Sequence, residues 1–268
     1  MISLLRTRFT PSFLTPATRC FSTSSTPKII PLEPGLLTIK NGLSREEQIT
    51  LSNIALQAGE TGFWRTDPQG NRTLNSTPHR GRIYQAVKSY PSIVGDLCRR
   101  SIELVAKTDT TIKVINSTHL ILLYYKTLVE TPSKGFIPWH QDNGENDGED
   151  DMPVVSFNIG DSCDFLVNRE RPKVNVTHPL SNPANLAHRI LFESGDVVIF
   201  GGPSRLIWHT IYKIHQNTAP QFLPFQNARL NFTFRYTPKL LGDEARFATQ
   251  EASKLPKDNQ FYKTTQMK

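Results

Sequence analysis

The strongest constraint on the fold is a succession of short β runs between residues 119 and 236. The runs are rich in Val, Ile, Leu, Phe and Tyr, and turn formers separate them, as at Gly160-Asp161 and Gly201-Gly202. In chain order they cover residues 119–126, 154–159, 163–167, 189–192, 197–200, 207–214 and 230–236. Many short strands without intervening helices predict a β sandwich or barrel for this part of the chain.

Helices are predicted on the N-terminal side of the strands. Ser44 and Glu47 have the spacing of a capping box, and apolar residues at helical intervals follow them. Gly59 and Gly62 are expected to end this helix. A second helix is predicted to open at Pro91. The predicted fold class is therefore mainly β with flanking helices (α+β).

Composition divides the chain into four segments. Residues 1–27 are rich in Arg and Ser and contain no acid, which is typical of an organellar transit peptide. Residues 28–118 hold the predicted helices and, at 63–82, a polar stretch expected to form a hairpin or a long loop. The strand-rich core covers 119–237, and 238–268 are expected to form a polar tail. A mitochondrial location is expected, with chloroplast or nucleus and cytoplasm as alternatives.

Composition and charge limit the class of protein. No run approaches the ~20 apolar residues of a membrane-spanning helix, and neither a membrane nor an obligate protein partner is expected. Cys20, Cys98 and Cys163 are too far apart to indicate a disulfide framework or a Cys-based zinc site. The net charge is +7 although residues 142–151 carry six acids and no base, so the remainder is strongly basic. A basic surface is compatible with nucleic acid and equally with a plain soluble protein.

His140 and Asp142 form a potential metal-binding pair. Side chains two residues apart on an extended chain point to the same side, which leaves the opposite side of a bound ion open. One more histidine would complete the 2-His-1-carboxylate arrangement of non-heme Fe(II) oxygenases. The candidates are His178, His188, His209 and His215. His209 is favoured because it lies within a β run just after a tight turn, whereas the others neighbour polar or loop residues.

The stretch from Arg229 to Arg235 alternates without a break between polar and apolar residues. Arg229, Asn231, Thr233 and Arg235 therefore share one face of a strand. Burying such a face is costly unless an anion pairs with it, and guanidinium groups bind carboxylates in a bidentate manner. Along a straight strand the two arginines are about 20 Å apart, so curvature, long side chains and the metal must bring them to one small ligand.

Three motifs, taken together and in this order, resemble the AlkB family of Fe(II)- and 2-oxoglutarate-dependent dioxygenases. They are His140-Gln141-Asp142, the stretch from Gly195 to His209, and Arg229-x-Asn231-x-Thr233-x-Arg235. The resemblance covers roughly residues 119 to 237. It implies a double-stranded β-helix, or jelly roll, with an N-terminal nucleotide-recognition lid within residues 28–118.

The resemblance also implies the roles of individual residues, with Fe(II), 2-oxoglutarate and O2 as cofactors. The implied metal ligands and catalytic residues are His140, Asp142 and His209. The implied 2-oxoglutarate contacts are Arg229, Arg235, Asn231 and Tyr125, with the neighbouring Tyr124 as the alternative to Tyr125. Two positions depart from the family pattern: Leu123 replaces a frequent Asn, and Gly144 replaces an acid that often contacts the base. The base preference therefore stays open.

The activity that the resemblance implies is oxidative removal of alkyl groups from bases of DNA or RNA, with release of formaldehyde, succinate and CO2. A base within a duplex would have to be flipped out to react. Trp64 is the candidate for stacking on the base, and Arg82 and Arg169, with Arg80 and Arg171, are candidates for phosphate contacts. Two rival hypotheses are a 2-oxoglutarate oxygenase acting on a protein or small molecule, and a jelly-roll binding module without activity.

Overall fold

The computed structural model of the protein describes residues 26–77, 79–127, 137–143, 151–171 and 188–237. In this part of the chain there are two α-helices, α1 (Arg45–Gly62) and α2 (Ser92–Ala106). The strands are β1 (Lys28–Glu33), β2 (Leu36–Lys40), β3 (Trp64–Thr66), β4 (Arg72–Leu74), β5 (Arg80–Ala86), β6 (His119–Lys126), β7 (Ile137–His140), β8 (Val154–Gly160), β9 (Ser162–Asn168), β10 (His188–Phe192), β11 (Val197–Phe200), β12 (Trp208–His215) and β13 (Ala228–Arg235). Neither helix is long and apolar enough to cross a membrane.

The strands form two main antiparallel sheets and one hairpin. The large sheet has seven strands in the order β1-β2-β11-β8-β13-β6-β5, and the small sheet has four in the order β10-β9-β12-β7. The hairpin consists of β3 and β4. Side chains of both main sheets share a buried apolar cluster, which includes Phe165 of the small sheet and Phe200 of the large one. This arrangement confirms the predicted jelly roll with flanking helices.

The two faces of β13 in the large sheet differ: one carries apolar side chains that pack with the helices, and the other carries polar side chains. Leu230, Phe232 and Phe234 of β13 belong to a cluster that includes apolar residues of α1 and α2. Each such fully buried side chain contributes about 1.5–3 kcal/mol of transfer free energy. Because strand side chains alternate, Arg229 and Arg235 of the same strand lie on the face that looks toward the small sheet. The polar residues of β13 are therefore enclosed between the two sheets.

The capping box predicted at the start of α1 is present. The side chain of Ser44 accepts a hydrogen bond from the backbone N–H of Glu47 at 3.2 Å, and the carboxylate of Glu47 accepts one from the N–H of Ser44 at 2.8 Å. The helix ends at Gly62, as predicted, but Gly59 lies inside it. The absence of a side chain at Gly59 makes room for Phe63, because a Cβ atom there would lie 2.3 Å from the ring.

The seven β runs predicted after residue 119 are all strands, and their ends differ from the prediction by at most two residues. The segment before residue 119 contributes more to the sheets than predicted. β1 and β2 extend the large sheet beside β11, and β5 extends it beside β6. Residue 119 is therefore not a structural boundary between an N-terminal region and the core.

The physical reason for this difference is the distance along the chain between paired strands. Ile39 of β2 pairs with Val197 of β11, and no local pattern indicates which strand a short apolar segment will join. Pro31 in β1 is tolerated because β1 is an edge strand. The stretch 63–82, expected to be a hairpin or a long loop, contains the β3–β4 hairpin and the beginning of β5.

Three predicted features lie wholly or largely outside the described residues. They are the transit peptide, of which only residues 26 and 27 are described, the greater part of the acidic run at 144–150, and the polar tail at 238–268. Their predictions stay predictions.

Candidate active site

The structure brings His140, Asp142 and His209 together where β7 pairs with β12. His140 is the last residue of β7 and lies directly opposite His209 on β12, with ring centroids 4.2 Å apart. The carboxylate of Asp142 follows two residues later, and one ligand atom from each of the three residues lies within 4.8 Å of the others. Within the described part of the chain, this is the one cluster of His, Cys, Asp or Glu able to hold a metal ion.

Hydrogen bonds to the backbone fix the orientation of both imidazoles. Nδ1 of His140 lies 2.8 Å from the carbonyl oxygen of Pro138, and Nδ1 of His209 lies 3.0 Å from that of Ile207. A carbonyl can only accept, so each Nδ1 carries the proton and each Nε2 keeps its lone pair. The two Nε2 atoms face Asp142 Oδ1, at 3.7 Å from His140 and 3.9 Å from His209. This tautomer leaves the lone pair of each Nε2 available to bind a metal.

The charge state of the triad also suits a cation. Burial lowers the pKa of His140 and of His209 below the ordinary value of imidazole, so both rings are neutral near pH 7. Burial alone would raise the pKa of Asp142, but the guanidinium of Arg235 and then the neighbouring histidines hold that pKa below its usual range. The site therefore offers two neutral nitrogens and one anionic oxygen.

Two arginines hold Asp142 in place. Nη2 of Arg235 donates to Asp142 Oδ1 at 2.6 Å, and Nη1 of Arg205 donates to the backbone carbonyl of Asp142, also at 2.6 Å. Arg205 lies in the turn before β12, and its side chain is largely buried. The sequence analysis quoted Arg205 within a motif but assigned it no role. The signal available was an arginine four residues before the metal-binding histidine, in a stretch (201–207) that contains no Asp or Glu.

Arg229 is buried on β13, six residues before Arg235 and opposite Tyr125 of β6. It is 1% exposed, and its guanidinium lies 5.1 Å from the ring of Tyr125 and 5.9 Å from the ring of Phe192. Its Nε and Nη1 atoms and the hydroxyl of Tyr125 find no hydrogen-bond partner among the described residues. A buried guanidinium without an anion is costly, so a carboxylate is the ligand that this position fits.

The structure distinguishes among the other predicted 2-oxoglutarate contacts. Tyr125 faces Arg229, whereas Tyr124 points to the opposite side of the sheet and stacks on Phe63. The Nδ2 atom of Asn231 already donates to Ser156 Oγ at 2.7 Å and to the carbonyl of Phe157 at 2.8 Å. Both hydrogens of this amide are therefore used within the sheet, and Asn231 supports the pocket rather than donating to a ligand.

Leu123 places an apolar side chain at the position where the family frequently has an asparagine. It lies opposite Asn231 on the neighbouring strand and packs in a cluster with Tyr84, Ile121 and Tyr125. The asparagine frequent in the family at this position has no polar substitute on β6 itself. The other neighbour of Leu123 in register is Arg82 of β5.

The predicted substrate contacts are separated in space. Arg82 lies on the face of the large sheet that looks toward the metal-binding residues. Arg169 follows Asn168 at the end of β9, near the strand pairing of Val167 with His209, and its Nε donates to Glu33 Oε2 at 2.9 Å. Both positions are compatible with a substrate that approaches the triad, although Arg169 already has a carboxylate partner.

Trp64 lies on the other side of the large sheet. Its ring is 6.2 Å from that of Tyr124, whose side chain points away from the face that carries Tyr125. This position disagrees with the prediction that Trp64 stacks on a base bound at the metal centre. The sequence could not show this because the side on which a hairpin folds back is not encoded in its local pattern.

The remaining histidine candidates do not join the triad. His188 begins β10, and His215 ends β12 with its Nε2 atom 3.2 Å from Asp164 Oδ1. His178 lies outside the described residues. Cys98 and Cys163 are buried free thiols, and neither belongs to the cluster. The donor set of two imidazoles and a carboxylate fits Fe(II) in a non-heme site and differs from the thiolate-rich sites of structural zinc.

Comparison with known proteins gives the family. Residues 35–235 match the model of the 2OG-Fe(II) oxygenase superfamily. The chain is 28% identical over 232 residues to the DNA N(6)-methyladenine demethylase ALKBH1C of Arabidopsis thaliana, covering 76% of this chain and 49% of that protein. It is 38% identical over 108 residues to ALKBH1D of the same organism, covering 38% and 22% of the two chains. The chain thus spans about half the length, or less, of these curated relatives.

A bacterial relative and a solved structure agree with this result. The alpha-ketoglutarate-dependent dioxygenase AlkB of Salmonella typhimurium is 25% identical over 225 residues, which cover 76% of this chain and 91% of that protein. The structure of OsALKBH1 shares the fold, with a TM-score of 0.61, 21% identity, and coverage of 78% of this chain and 100% of that one. The expected cofactors, Fe(II), 2-oxoglutarate and O2, are those of the matched family. The chain belongs to the 2OG-Fe(II) oxygenase superfamily and, within it, to the AlkB family.

Proposed function

We propose that the protein is an Fe(II)- and 2-oxoglutarate-dependent dioxygenase that removes N-linked alkyl groups from bases of DNA or RNA and so repairs alkylation damage. The observations that carry this proposal are the two-histidine, one-carboxylate cluster and the buried guanidinium of Arg229, whose Nε and Nη1 atoms find no hydrogen-bond partner among the described residues. The first suits Fe(II), and the second suits the distal carboxylate of a keto acid. Formaldehyde, succinate and CO2 are the expected products.

Nucleic acid is the proposed substrate on two grounds. Two plant relatives are named as DNA N(6)-methyladenine demethylases, and the rest of the chain outside the acidic run is strongly basic. A basic surface attracts polyanions. The target base is proposed to be flipped out or presented in a single strand, because a stacked base cannot enter a cavity between two sheets.

Bound Fe(II) would supply the oxidising chemistry, with 2-oxoglutarate and O2 consumed, that hydroxylates the alkyl carbon. The residues of the chain position the reactants. His140, His209 and Asp142 would hold the ion, with both imidazoles fixed through Nδ1. Arg229 and the hydroxyl of Tyr125 would orient the keto acid by pairing with its distal carboxylate. The apolar side chains around Leu123 would keep water from this part of the cavity.

The proposal is tested by measuring formaldehyde and succinate from the full-length chain with Fe(II), 2-oxoglutarate and N-methylated single- and double-stranded DNA and RNA. Formaldehyde that depends on the methylated substrate is expected, and it should vanish in His140→Ala. His215→Ala is the matched control, because His215 lies at the far end of the strand that carries His209. Succinate without substrate-dependent formaldehyde would instead indicate a protein or small-molecule substrate. Absence of both products would indicate a binding module.

We also propose that residues 1–27 direct the protein to mitochondria. The support is their composition, with Arg6, Arg8 and Arg19 and no acid. A fluorescent protein fused to residues 1–27 should accumulate in mitochondria, and replacing the three arginines by Gln should abolish this. Diffuse or chloroplast fluorescence of the unaltered fusion would contradict the proposal.

A further inference from the structure

Cys163 is a buried thiol to which the proposed function assigns no role. It is the second residue of β9 and is 0% exposed. In the small sheet it lies in register between Phe192 of β10 and Ile214 of β12. Cys163 belongs to the apolar cluster that the two main sheets share. Its side chain therefore points from the small sheet toward the large one.

Both neighbours connect Cys163 to the surroundings of Arg229. The guanidinium of Arg229 lies 5.9 Å from the centroid of the Phe192 ring. Ile214 packs against the cluster that contains Tyr125, and the centroid of the Tyr125 ring lies 5.1 Å from the same guanidinium. Directly opposed residues on paired strands have Cβ atoms about 4.5–5.5 Å apart. Cys163 is thus flanked on both sides by residues that reach Arg229 or the ring beside it.

The guanidinium of Arg229 also donates a hydrogen bond to the thiol itself. Burial raises the pKa of Cys163, and the charge of Arg229 opposes this shift without reversing it, so the thiol is neutral near pH 7. A neutral thiol is a poor nucleophile, which argues against covalent chemistry at this sulfur. It also leaves Nε and Nη1 of Arg229 without a hydrogen-bond partner among the described residues. These donors are available to an anion, and the sulfur atom of Cys163 borders the place where it would lie.

The size of the side chain at position 163 matters because its surroundings are tightly enclosed. Phe192, Tyr125 and Arg229 are each at most 1% exposed. Close-packed interiors respond to a change in volume of a single methylene group. Cysteine behaves as a small apolar side chain, and its sulfur is about the size of such a group. A keto acid held by the metal-binding residues at one end and by Arg229 at the other cannot move along its length. The atom beside Arg229 therefore limits how long the acid can be.

We propose that Cys163 determines the length of the keto acid that the protein accepts, because its sulfur atom fills the space beside Arg229 that a longer acid would need. This inference rests on the proposed function, in which Arg229 pairs with the distal carboxylate, and extends it from the charge of the keto acid to its length. 2-Oxoglutarate is accepted. 2-Oxoadipate, which is longer by one methylene group, is rejected because its distal carboxylate would overlap the sulfur atom.

The first test measures binding without turnover. Isothermal titration calorimetry of the Mn(II)-loaded full-length protein gives the dissociation constants of 2-oxoglutarate and 2-oxoadipate. The native protein should bind 2-oxoadipate at least about 10-fold more weakly, as expected for one methylene group in a closed pocket. In Cys163→Ala the ratio of the two constants should fall toward 1, because the longer acid gains the space of the sulfur atom. Cys163→Ser keeps an atom at this position and should retain most of the preference.

Cys98→Ala is the matched control, because Cys98 is the other buried free thiol of the described residues and lies in α2. It should leave the ratio of the two dissociation constants at its native value. A fall of the ratio confined to Cys163→Ala supports the proposal. An unchanged ratio in Cys163→Ala overturns it, as does an equal fall in Cys98→Ala or a native protein that binds both acids equally well.

A second variant tests the position of the side chain through stability. Cys163→Asp places a carboxylate beside Arg229, so the metal-free protein should keep or exceed the native Tm. Its affinity for 2-oxoglutarate should fall at least about 100-fold, because Arg229 is then already paired. Thermal denaturation in the presence of a chelator measures the Tm. A lower Tm would show a buried carboxylate without a cation nearby and would overturn the proposal.

Arg229→Met separates this inference from the proposed function. If this variant binds both acids as tightly as the native protein, the pairing of Arg229 with the distal carboxylate is refuted, and the inference with it. If Arg229→Met weakens both acids while Cys163→Ala keeps the native ratio, only the inference fails. A shifted ratio in Cys163→Ala without formaldehyde release from any methylated nucleic acid would support the role of Cys163 and refute the proposed substrate.

Discussion

Arg229 and Arg235 lie on the same face of the same strand, six residues apart, and their surroundings are opposite. The guanidinium of Arg235 binds the carboxylate of Asp142, 93 residues away in sequence. The guanidinium of Arg229 lies between the rings of Tyr125 and Phe192, and no anion among the described residues reaches it. The charge of Arg235 is thus neutralised by a carboxylate of the protein, whereas Arg229 has no carboxylate partner among the described residues.

The comparison predicts opposite effects on stability, and the largest concerns Arg235. Arg235→Met should lower the free energy of unfolding of the metal-free protein by about 3–5 kcal/mol, because it leaves the charge of Asp142 buried and without a partner. Urea denaturation in the presence of a chelator measures this. The exposed Arg99→Met should lose less than about 1 kcal/mol. Equal losses in the two variants would show that the Arg235–Asp142 pair does not stabilise the fold.

Arg229→Met should leave the metal-free protein as stable as the native chain or more stable, because it removes a buried charge that no carboxylate of the described residues neutralises. Its affinity for 2-oxoglutarate should fall about 100-fold, or about 3 kcal/mol. Isothermal titration calorimetry of the Mn(II)-loaded protein with 2-oxoglutarate measures the affinity, and thermal denaturation measures the stability. A loss of stability like that of Arg235→Met would show that Arg229 and Arg235 stabilise the metal-free protein equally.

Arg205 holds the metal-binding residue Asp142 in place through its backbone carbonyl. Arg205→Gln removes the donor to the carbonyl of Asp142, so the dissociation constant of the metal should rise about 10- to 100-fold. Competition with a fluorescent chelator for Mn(II) measures this without turnover. Arg189→Gln is the control, because Arg189 pairs with Asp164 outside the site. An unchanged dissociation constant would show that the position of Asp142 does not depend on Arg205.

The smallest predicted effect concerns the hydroxyl of Tyr125, which lies beside Arg229. Tyr125→Phe removes a buried hydroxyl that has no partner among the described residues, so 2-oxoglutarate should bind about 5- to 10-fold more weakly, or about 1 kcal/mol. The adjacent Tyr124→Phe is the matched control and should bind as tightly as the native protein, since Tyr124 faces away from the cavity. Similar weakening in both variants would indicate a general disturbance of β6.

Most of the core could be predicted because its information is local. The alternation from Leu230 to Phe234 identifies an apolar face and a polar face, whichever strands lie on either side. The strands after residue 119 and the capping box of α1 follow from patterns within a few residues. The join of β2 to β11 does not, because it depends on a partner about 160 residues away.

Some features of the candidate site could likewise be predicted from the sequence, and others could not. The spacing of His140 and Asp142 indicated a metal-binding pair, and the β run around His209 indicated its partner. The engagement of Asn231 within the sheet and the anchoring of Asp142 by Arg205 could not be predicted, because each depends on which polar group lies across a pairing or a turn.

The sequence by itself determined which residues share a face, which segments are strands, and which side chains have the chemistry for Fe(II) and a dicarboxylate. Only the tertiary structure decided that Arg235 pairs with a carboxylate and Arg229 does not, and that Trp64 lies across the sheet from the metal-binding residues. The reason is that side-chain alternation is set by the geometry of a single strand, whereas charge pairing and the side on which a hairpin packs depend on segments distant in the chain.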